Sequence, residues 1–127
     1  MDRKVITSVK APKALGPYSV AIRTGSLVFA SGQLGLDPAT DSLVPGGIEA
    51  ETRQALTNIR NVMAEAGSGL ELVVKTIVFL KDMVEFPKMN AVYAEFFPEN
   101  PPARSTIQAA ALPKGGAVEI EAVAIVK

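Results

Sequence analysis

Three side chains of this sequence are of types that bind or transform small polar molecules. Arg104 follows two prolines that stiffen its backbone approach, and a guanidinium recognises a planar carboxylate through two parallel hydrogen bonds. Glu119 stands in an apolar segment after a Gly-rich loop, where a carboxylate can orient water or accept a proton. Tyr18 follows Gly16-Pro17 and adds a ring with a hydroxyl group to a loop. These residue types can bind a carboxylate, act on water and line a pocket, respectively.

Two further positions are candidates for contact with a ligand. Ser31-Gly32 stands at the predicted end of a strand, where backbone groups become free, and Asn90 lies on a predicted helix. Each candidate also has an ordinary interpretation: a solvated charge for Arg104 and Glu119, a packed loop residue for Tyr18, a simple turn or an exposed polar position for the others. Taken singly, these residues identify no function.

The composition excludes several classes of chemistry. The 127 residues include no Cys, which excludes disulfides, thiol nucleophiles and iron–sulfur clusters. They include no His, so Ser–His–Asp catalysis is impossible and zinc chemistry is not expected. A general base must therefore be Glu, Asp, Lys, Tyr or water. Thirteen basic and thirteen acidic residues give zero net charge, which offers no electrostatic basis for binding nucleic acid or an acidic membrane.

The length and the hydrophobic content indicate one folded domain. Hydrophobic residues make up 48% of the chain, which is too many for a disordered protein. No apolar run has the length of a signal peptide or of a membrane span. We expect a single domain over residues 1–127 in a cytoplasmic protein.

Hydrophobic periodicity predicts the elements that position these side chains. A 3.6-residue period predicts a helix over 48–66, and a second helix begins near Pro87 and ends before Pro98. Alternating or β-branched segments predict strands over 4–9, 19–24, 27–31, 72–80, 103–111 and 118–126. The order βββαβαββ predicts an α+β fold, a mixed sheet with two helices packed on one face.

The last predicted strand has two apolar faces. One face carries Val118, Ile120, Ala122, Ala124 and Val126, and the other carries Val123 and Ile125 beyond the two glutamates. Two helices cover one face of the sheet, and the sequence predicts no third helix for the other. We therefore expect self-association, sheet against sheet.

The ordered set of motifs resembles the RidA/YjgF family of reactive-intermediate deaminases, which act on 2-imino acids. The resemblance extends over essentially the whole chain, and its most specific segments are Pro-Ala-Arg-Ser at 102–105 and Glu-Ile-Glu-Ala at 119–122. It is also carried by Gly-Pro-Tyr-Ser at 16–19, Ala-Ser-Gly-Gln at 30–33, Val-Lys-Thr at 74–76 with Lys-Asp at 81–82, Met-Asn-Ala-Val-Tyr at 89–93 and Leu-Pro-Lys at 112–114.

The resemblance implies a fold, an assembly and a reaction. The family fold is chorismate-mutase-like, and it assembles as a homotrimer with three sites between subunits. Enzymes of this type hydrolyse enamines and imines such as 2-aminoacrylate to 2-keto acids and ammonia. The expected partners are thus small 2-imino acids and two further copies of the chain. The mechanism that follows uses no metal or organic cofactor.

The resemblance also assigns roles to residues. The family's carboxylate-binding arginine falls on Arg104, its water-orienting glutamate on Glu119 and its pocket tyrosine on Tyr18. Its Ser-Gly pair falls on Ser31 and Gly32, and its pocket asparagine on Asn90. Many members have Cys where this chain has Thr106, and we expect backbone groups there, rather than the side chain, to contact the substrate.

The separation of Arg104 and Glu119 leaves two structural alternatives. If the last two strands formed a tight hairpin, the two residues would lie roughly 20 Å apart. Either these strands are not hairpin partners, or the site combines two chains.

Two other functions are alternatives. A non-catalytic protein that senses short carboxylic or keto acids would use Arg104 without needing Glu119. The family resemblance adds a third hypothesis, an RNA-cleaving translation inhibitor, which is an activity attributed to some relatives; zero net charge, the lack of His and the few aromatic residues argue against it.

Overall fold

One mixed six-stranded sheet organises residues 2–127, which the computed structural model describes. Its strands are β1 (Lys4–Ile6), β2 (Ala21–Thr24), β3 (Leu27–Leu34), β6 (Val73–Leu80), β7 (Ala103–Gln108) and β8 (Val118–Ile125). Their order across the sheet is β1-β2-β3-β8-β6-β7, and every pair is antiparallel except the parallel pair β6–β7. The helices are α1 (Gly47–Glu65) and α2 (Phe86–Phe96). The predicted α+β fold is confirmed.

The strands differ from the predicted elements in several details. Strand β3 extends to Leu34 instead of ending at residue 31, and β7 ends at Gln108 instead of residue 111. A separate two-stranded hairpin, β4 (Leu36–Asp37) and β5 (Ser42–Leu43), precedes α1, and strands this short carry no alternation that a sequence pattern could reveal. The first strand is shorter than the predicted 4–9. It ends at Ile6 because the chain turns directly afterwards, with the Lys10 N–H donating to Ser8 Oγ at 3.1 Å.

Helix α1 supplies most of the helical side of the core. The predicted apolar face is buried throughout, and it packs against β3 and β8. Its members are Ile48, Thr52, Ala55, Leu56, Ile59, Val62, Met63 and Ala66. The helix therefore fixes the two central strands that carry the Ser-Gly pair and Glu119.

Strand β8 lies in the middle of the sheet, between β3 and β6. Its side chains at Val118, Ile120, Ala122 and Ala124 are buried. Strand β7 pairs only with β6 and forms the edge of the sheet. The last two strands are thus not hairpin partners.

The sheet face opposite the helices is apolar and exposed in the single chain. Phe29, Ile107 and Ile125 lie on this face and are 45%, 48% and 40% exposed. The predicted second apolar face of β8 therefore belongs to a larger apolar surface. No helix formed by residues 2–127 combines the length and apolarity needed to cross a membrane.

Candidate active site

A β-bulge in β3 places the Ser-Gly pair. Ala30 pairs with Ala122 and Gln33 pairs with Ile120, so two residues, Ser31 and Gly32, oppose one residue of β8. The expectation that this pair ends a strand is wrong, because β3 continues to Leu34. The ladder of hydrogen bonds is interrupted at Ser31-Gly32 by the bulge and not by the end of the strand.

The hydroxyl of Ser31 donates its proton in a hydrogen bond within the protein. Ser31 Oγ donates to the carbonyl of Ser19 at 2.6 Å. A hydroxyl has one proton and two lone pairs, so this one can only accept a further hydrogen bond. It can therefore receive a hydrogen bond from an N–H or O–H group of a ligand.

Glu119 lies on the open face of the sheet, directly over Gly32. A Cβ atom added to Gly32 would stand 2.7 Å from Glu119 Oε2 and 2.8 Å from its Cδ. The absence of a side chain at Gly32 is what gives the carboxylate its space. The bulge and the glutamate thus form one unit.

The pKa of Glu119 is raised above the ordinary glutamate value, first by burial and second by the negative charge of Glu121. Burial disfavours the charged form of a carboxyl group. A higher pKa makes the carboxylate a stronger base and makes the protonated form more accessible near neutral pH. Both properties suit a group that takes and returns a proton.

Tyr18 lines the same cleft as Glu119 and the Ser-Gly pair. The cleft has a volume of about 500 Å³ and is also bordered by Pro113. The Tyr18 hydroxyl accepts a hydrogen bond from the Leu15 N–H at 3.1 Å, which anchors the ring to its own loop. Its proton is therefore available to donate into the cleft.

Arg104 lies at the opposite edge of the sheet, among aromatic rings. Its Cζ atom is 4.7 Å from the ring centroid of Tyr93 and 5.4 Å from that of Phe86, both on α2. No side chain of residues 2–127 forms an ion pair or a hydrogen bond with its guanidinium. Asn90 lies one helical turn from each ring residue and shares their side of α2.

Thr106 neighbours Arg104 on the same face of β7. Its Oγ1 atom is buried and has no hydrogen-bond partner among residues 2–127. The Ala109 N–H donates to the Leu80 carbonyl of β6, and alternate amides of a strand point to the same side. The amides of Arg104 and Thr106 therefore point to the free edge, where they can donate to a ligand.

The two groups of candidates do not meet within one chain. Tyr18, Ser31, Gly32 and Glu119 gather on the open face, whereas Arg104, Asn90 and Thr106 gather at the edge beside α2. Arg104 aligns with Thr76 and Glu119 with Phe79, which places their backbones roughly 14 Å apart across two strand spacings. Their side chains also leave opposite faces of the sheet.

Sequence reasoning missed a buried carboxylate that supports the site. Glu51 of α1 accepts a hydrogen bond from the Ala117 N–H at 2.8 Å and so fixes the chain just before Glu119. Its position three residues after Ile48 and four before Ala55 puts an acid on the apolar face of the helix. That misplaced charge is the signal that identifies it.

Acidic groups do not form a metal site among residues 2–127. No three Asp or Glu side chains approach closely enough there to hold a metal ion. Glu119 and Glu121 are neighbours on one strand, and their mutual effect is the repulsion described above.

Comparison with known proteins gives consistent similarities over the whole fold. A family model described as Endoribonuclease L-PSP matches residues 8–126. A Bos taurus protein named 2-iminobutanoate/2-iminopropanoate deaminase is 50% identical over 123 residues, covering 97% of this chain and 90% of its own. The Homo sapiens protein of the same name is 47% identical with the same coverage.

Solved structures superpose closely on the chain. The yeast protein YEO7 has a TM-score of 0.96 at 38% identity, covering 99% of this chain and 100% of its own. Escherichia coli TdcF, solved with bound serine, has a TM-score of 0.93 at 36% identity, covering 98% and 99%.

Proposed function

The chain belongs to the endoribonuclease L-PSP family, which is the RidA/YjgF family, and we propose that it hydrolyses 2-imino acids to 2-keto acids and ammonia. Relatives at 47–50% identity carry a name that states this type of reaction. The proposal includes the enamine tautomers of these substrates, such as 2-aminoacrylate. It also includes action in the cytoplasm, where dehydratases of amino acids would release them.

The observation that carries the proposal is the free guanidinium of Arg104. Residues 2–127 supply no acidic partner for it, so its N–H groups are available for a carboxylate. A planar guanidinium and a carboxylate form two parallel hydrogen bonds, which fix the substrate in one orientation. The serine bound in the TdcF structure is itself an amino acid with a carboxylate group.

The mechanism adds water to the C=N bond. Arg104 holds the carboxylate, and the outward amide of Thr106 contributes a further donor. Glu119 accepts a proton from water as the oxygen attacks C2 and passes that proton to the imine nitrogen, which gives a neutral carbinolamine. Glu119 then takes the proton of the carbinolamine hydroxyl as the C=O bond forms and delivers it to the departing nitrogen; the C–N bond breaks, and a keto acid and ammonia leave. Free imines already hydrolyse in water, so positioning and proton transfer suffice.

The remaining polar groups of the cleft have complementary roles. The Ser31 hydroxyl is an acceptor and suits the N–H groups of the imine or of ammonia. The Tyr18 hydroxyl is a donor and suits the oxygen of the carbinolamine. Asn90 borders the carboxylate end beside α2.

The proposal places each site between two copies of a homotrimer. One chain carries the Arg104 group and the Glu119 group about 14 Å apart on opposite faces of the sheet, so one chain alone does not complete the site. The exposed apolar face and the free edge of β7 are surfaces that a second copy would cover. Contact between the edge of one copy and the cleft of the next would unite the two groups.

The test is ammonia release from imines generated in situ by an amino-acid oxidase, with semicarbazide as the competing trap. Arg104→Lys keeps the charge but loses the two-point contact, and the rate should fall about 30- to 150-fold. Arg60→Lys is the matched control, because Arg60 also lies over an aromatic ring, 5.6 Å from the centroid of Phe96. Normal turnover by Arg104→Lys would exclude Arg104 as the carboxylate ligand.

Glu119 separates the enzyme from a keto-acid sensor. In Glu119→Gln the shape of the side chain is kept and its basicity is lost, so an enzyme should bind product and lose turnover. A sensor would show no imine turnover in the native chain, and its affinity for the keto acid would be the same in Glu119→Gln. The endoribonuclease in the family description is tested separately by titrating RNA binding with salt, for which a chain of zero net charge provides little driving force.

A further inference from the structure

The guanidinium of Arg104 is held in an unusual way for a ligand-binding arginine. Its guanidinium forms no ion pair and no hydrogen bond with a side chain of residues 2–127, and two rings of α2 lie beside it. Distances of 4.7 Å to Tyr93 and 5.4 Å to Phe86 lie within the range of cation–π attraction. The side chain of an arginine on an edge strand would otherwise be free to rotate.

The ring of Tyr93 is itself fixed. Its hydroxyl lies 2.7 Å from Thr76 Oγ1 in a buried hydrogen bond. Thr76 is the residue of β6 that aligns with Arg104, so the threonine, the tyrosine and the arginine form one connected unit. Tyr93 also packs against Phe97, with their ring centroids 4.7 Å apart.

We propose that Tyr93 and Phe86 position the Arg104 guanidinium and thereby set the affinity for the substrate carboxylate, with Thr76 fixing the ring of Tyr93. The inference rests on the proposed function, since it needs Arg104 to bind a carboxylate. Aromatic rings attract the guanidinium through its flat surface and leave its N–H groups free. An acidic partner would instead occupy those groups and neutralise the charge that the substrate requires.

The test measures binding of 2-oxobutanoate, the keto acid expected from 2-iminobutanoate, by calorimetry. Tyr93→Leu and Phe86→Leu each remove one ring and should weaken binding about 3- to 30-fold, the range of one cation–π contact. The KM for the imino acid should rise by the same factor, and kcat should change less than about twofold, because the rings act on binding of the carboxylate. Tyr93→Phe keeps the ring and loses its bond to Thr76, so its affinity should lie between those of the native chain and Tyr93→Leu.

A matched control comes from the same helix. Phe96→Leu removes the ring under Arg60, a contact of the same kind away from Arg104, and should leave both affinity and KM unchanged. A loss in Phe96→Leu equal to that in the other variants would assign the effect to general weakening of α2 and overturn the proposal. Phe86 is only partly buried, so Phe86→Leu decides the question even if Tyr93→Leu does not fold.

Two outcomes distinguish this inference from the proposed function. If Arg104→Lys weakens binding but folded Phe86→Leu and Tyr93→Leu bind normally, the role of the rings is refuted and the deaminase proposal stands. If Arg104→Lys binds 2-oxobutanoate as tightly as the native chain, the carboxylate site lies elsewhere and both proposals fail.

Discussion

Replacing Gly32 by alanine tests the Glu119 site without touching its chemistry. The new Cβ would stand 2.7 Å from Oε2, 2.8 Å from Cδ and 2.9 Å from Cγ of Glu119. Gly32 is not among the residues with positive φ, so alanine can adopt the same backbone conformation. The substitution therefore acts through the position of the carboxylate.

The size of the displacement follows from these distances. Ordinary contact begins near 3.4 Å, so the carboxylate must retreat about 0.7 Å or rotate away. Misplacement of a reacting group by about 1 Å costs up to about 100-fold in rate, and we expect a loss of about 10- to 100-fold. The stability cost is that of one side chain leaving its preferred rotamer, about 0.5–1.5 kcal/mol.

The assay is imine hydrolysis by ammonia release, together with thermal unfolding of each variant. Gly69→Ala is the control, because its Cβ would stand 2.6 Å from both carboxylate oxygens of Glu71, far from the cleft. It imposes the same kind of clash on an exposed glutamate and should leave the rate unchanged.

A double substitution shows whether Gly32→Ala lowers the rate by displacing the Glu119 carboxylate. If the clash acts through Glu119, Gly32→Ala should add nothing to the loss in Glu119→Gln, since the two changes remove one function. Full activity in Gly32→Ala would refute the reasoning that the position of this carboxylate controls the reaction. Additive losses would show that Gly32 acts independently, through its own backbone groups.

Three further predictions concern charge, an unpaired hydroxyl and assembly. Burial and Glu121 raise the pKa of Glu119, so the folded chain loses stability as pH rises through that pKa and the carboxyl group ionises. Glu119→Gln should therefore melt at a higher temperature than the native chain at pH 7. This difference in melting temperature should vanish below the ordinary glutamate pKa. Thr106→Val removes a buried hydroxyl without a partner and should raise stability by about 1 kcal/mol in denaturant titration while imine hydrolysis continues. A loss of activity there would assign the hydroxyl to the substrate. Light scattering at micromolar concentration should give three times the mass of one chain, and a monomer would remove the site between copies.

The helices and the buried strands were predictable because their patterns are long and regular. The face of α1 from Ile48 to Ala66 repeats over five turns, and every member is buried as predicted. The hairpin of β4 and β5 was not predictable, because strands of two residues show no period. The sequence predicts Ser31-Gly32 at the end of a strand, whereas the pair forms a bulge within β3. A bulge adds one residue to a strand without changing its composition, so the pattern does not reveal it.

The residues of the candidate site were predictable from the sequence, but the distances between them were not. Motifs name Arg104 and Glu119, but their separation depends on the sheet order β3-β8-β6-β7, which inserts β6 between the last two strands. Short-range patterns contain no information on that order. The helix that contains Tyr93 was predictable, but the contact of Tyr93 with Arg104 forms only where β7 returns beside α2.

The central position of β8 has a consequence for how the polypeptide folds during synthesis. Without residues 118–125, no strand pairing joins β1-β2-β3 to β6-β7. Contacts between β8 and β3 span most of the chain, and such long-range pairing slows folding. We therefore expect the nascent chain to form the complete sheet only after β8 has been synthesised. Chains that stop before residue 118 should therefore not form the native six-stranded sheet.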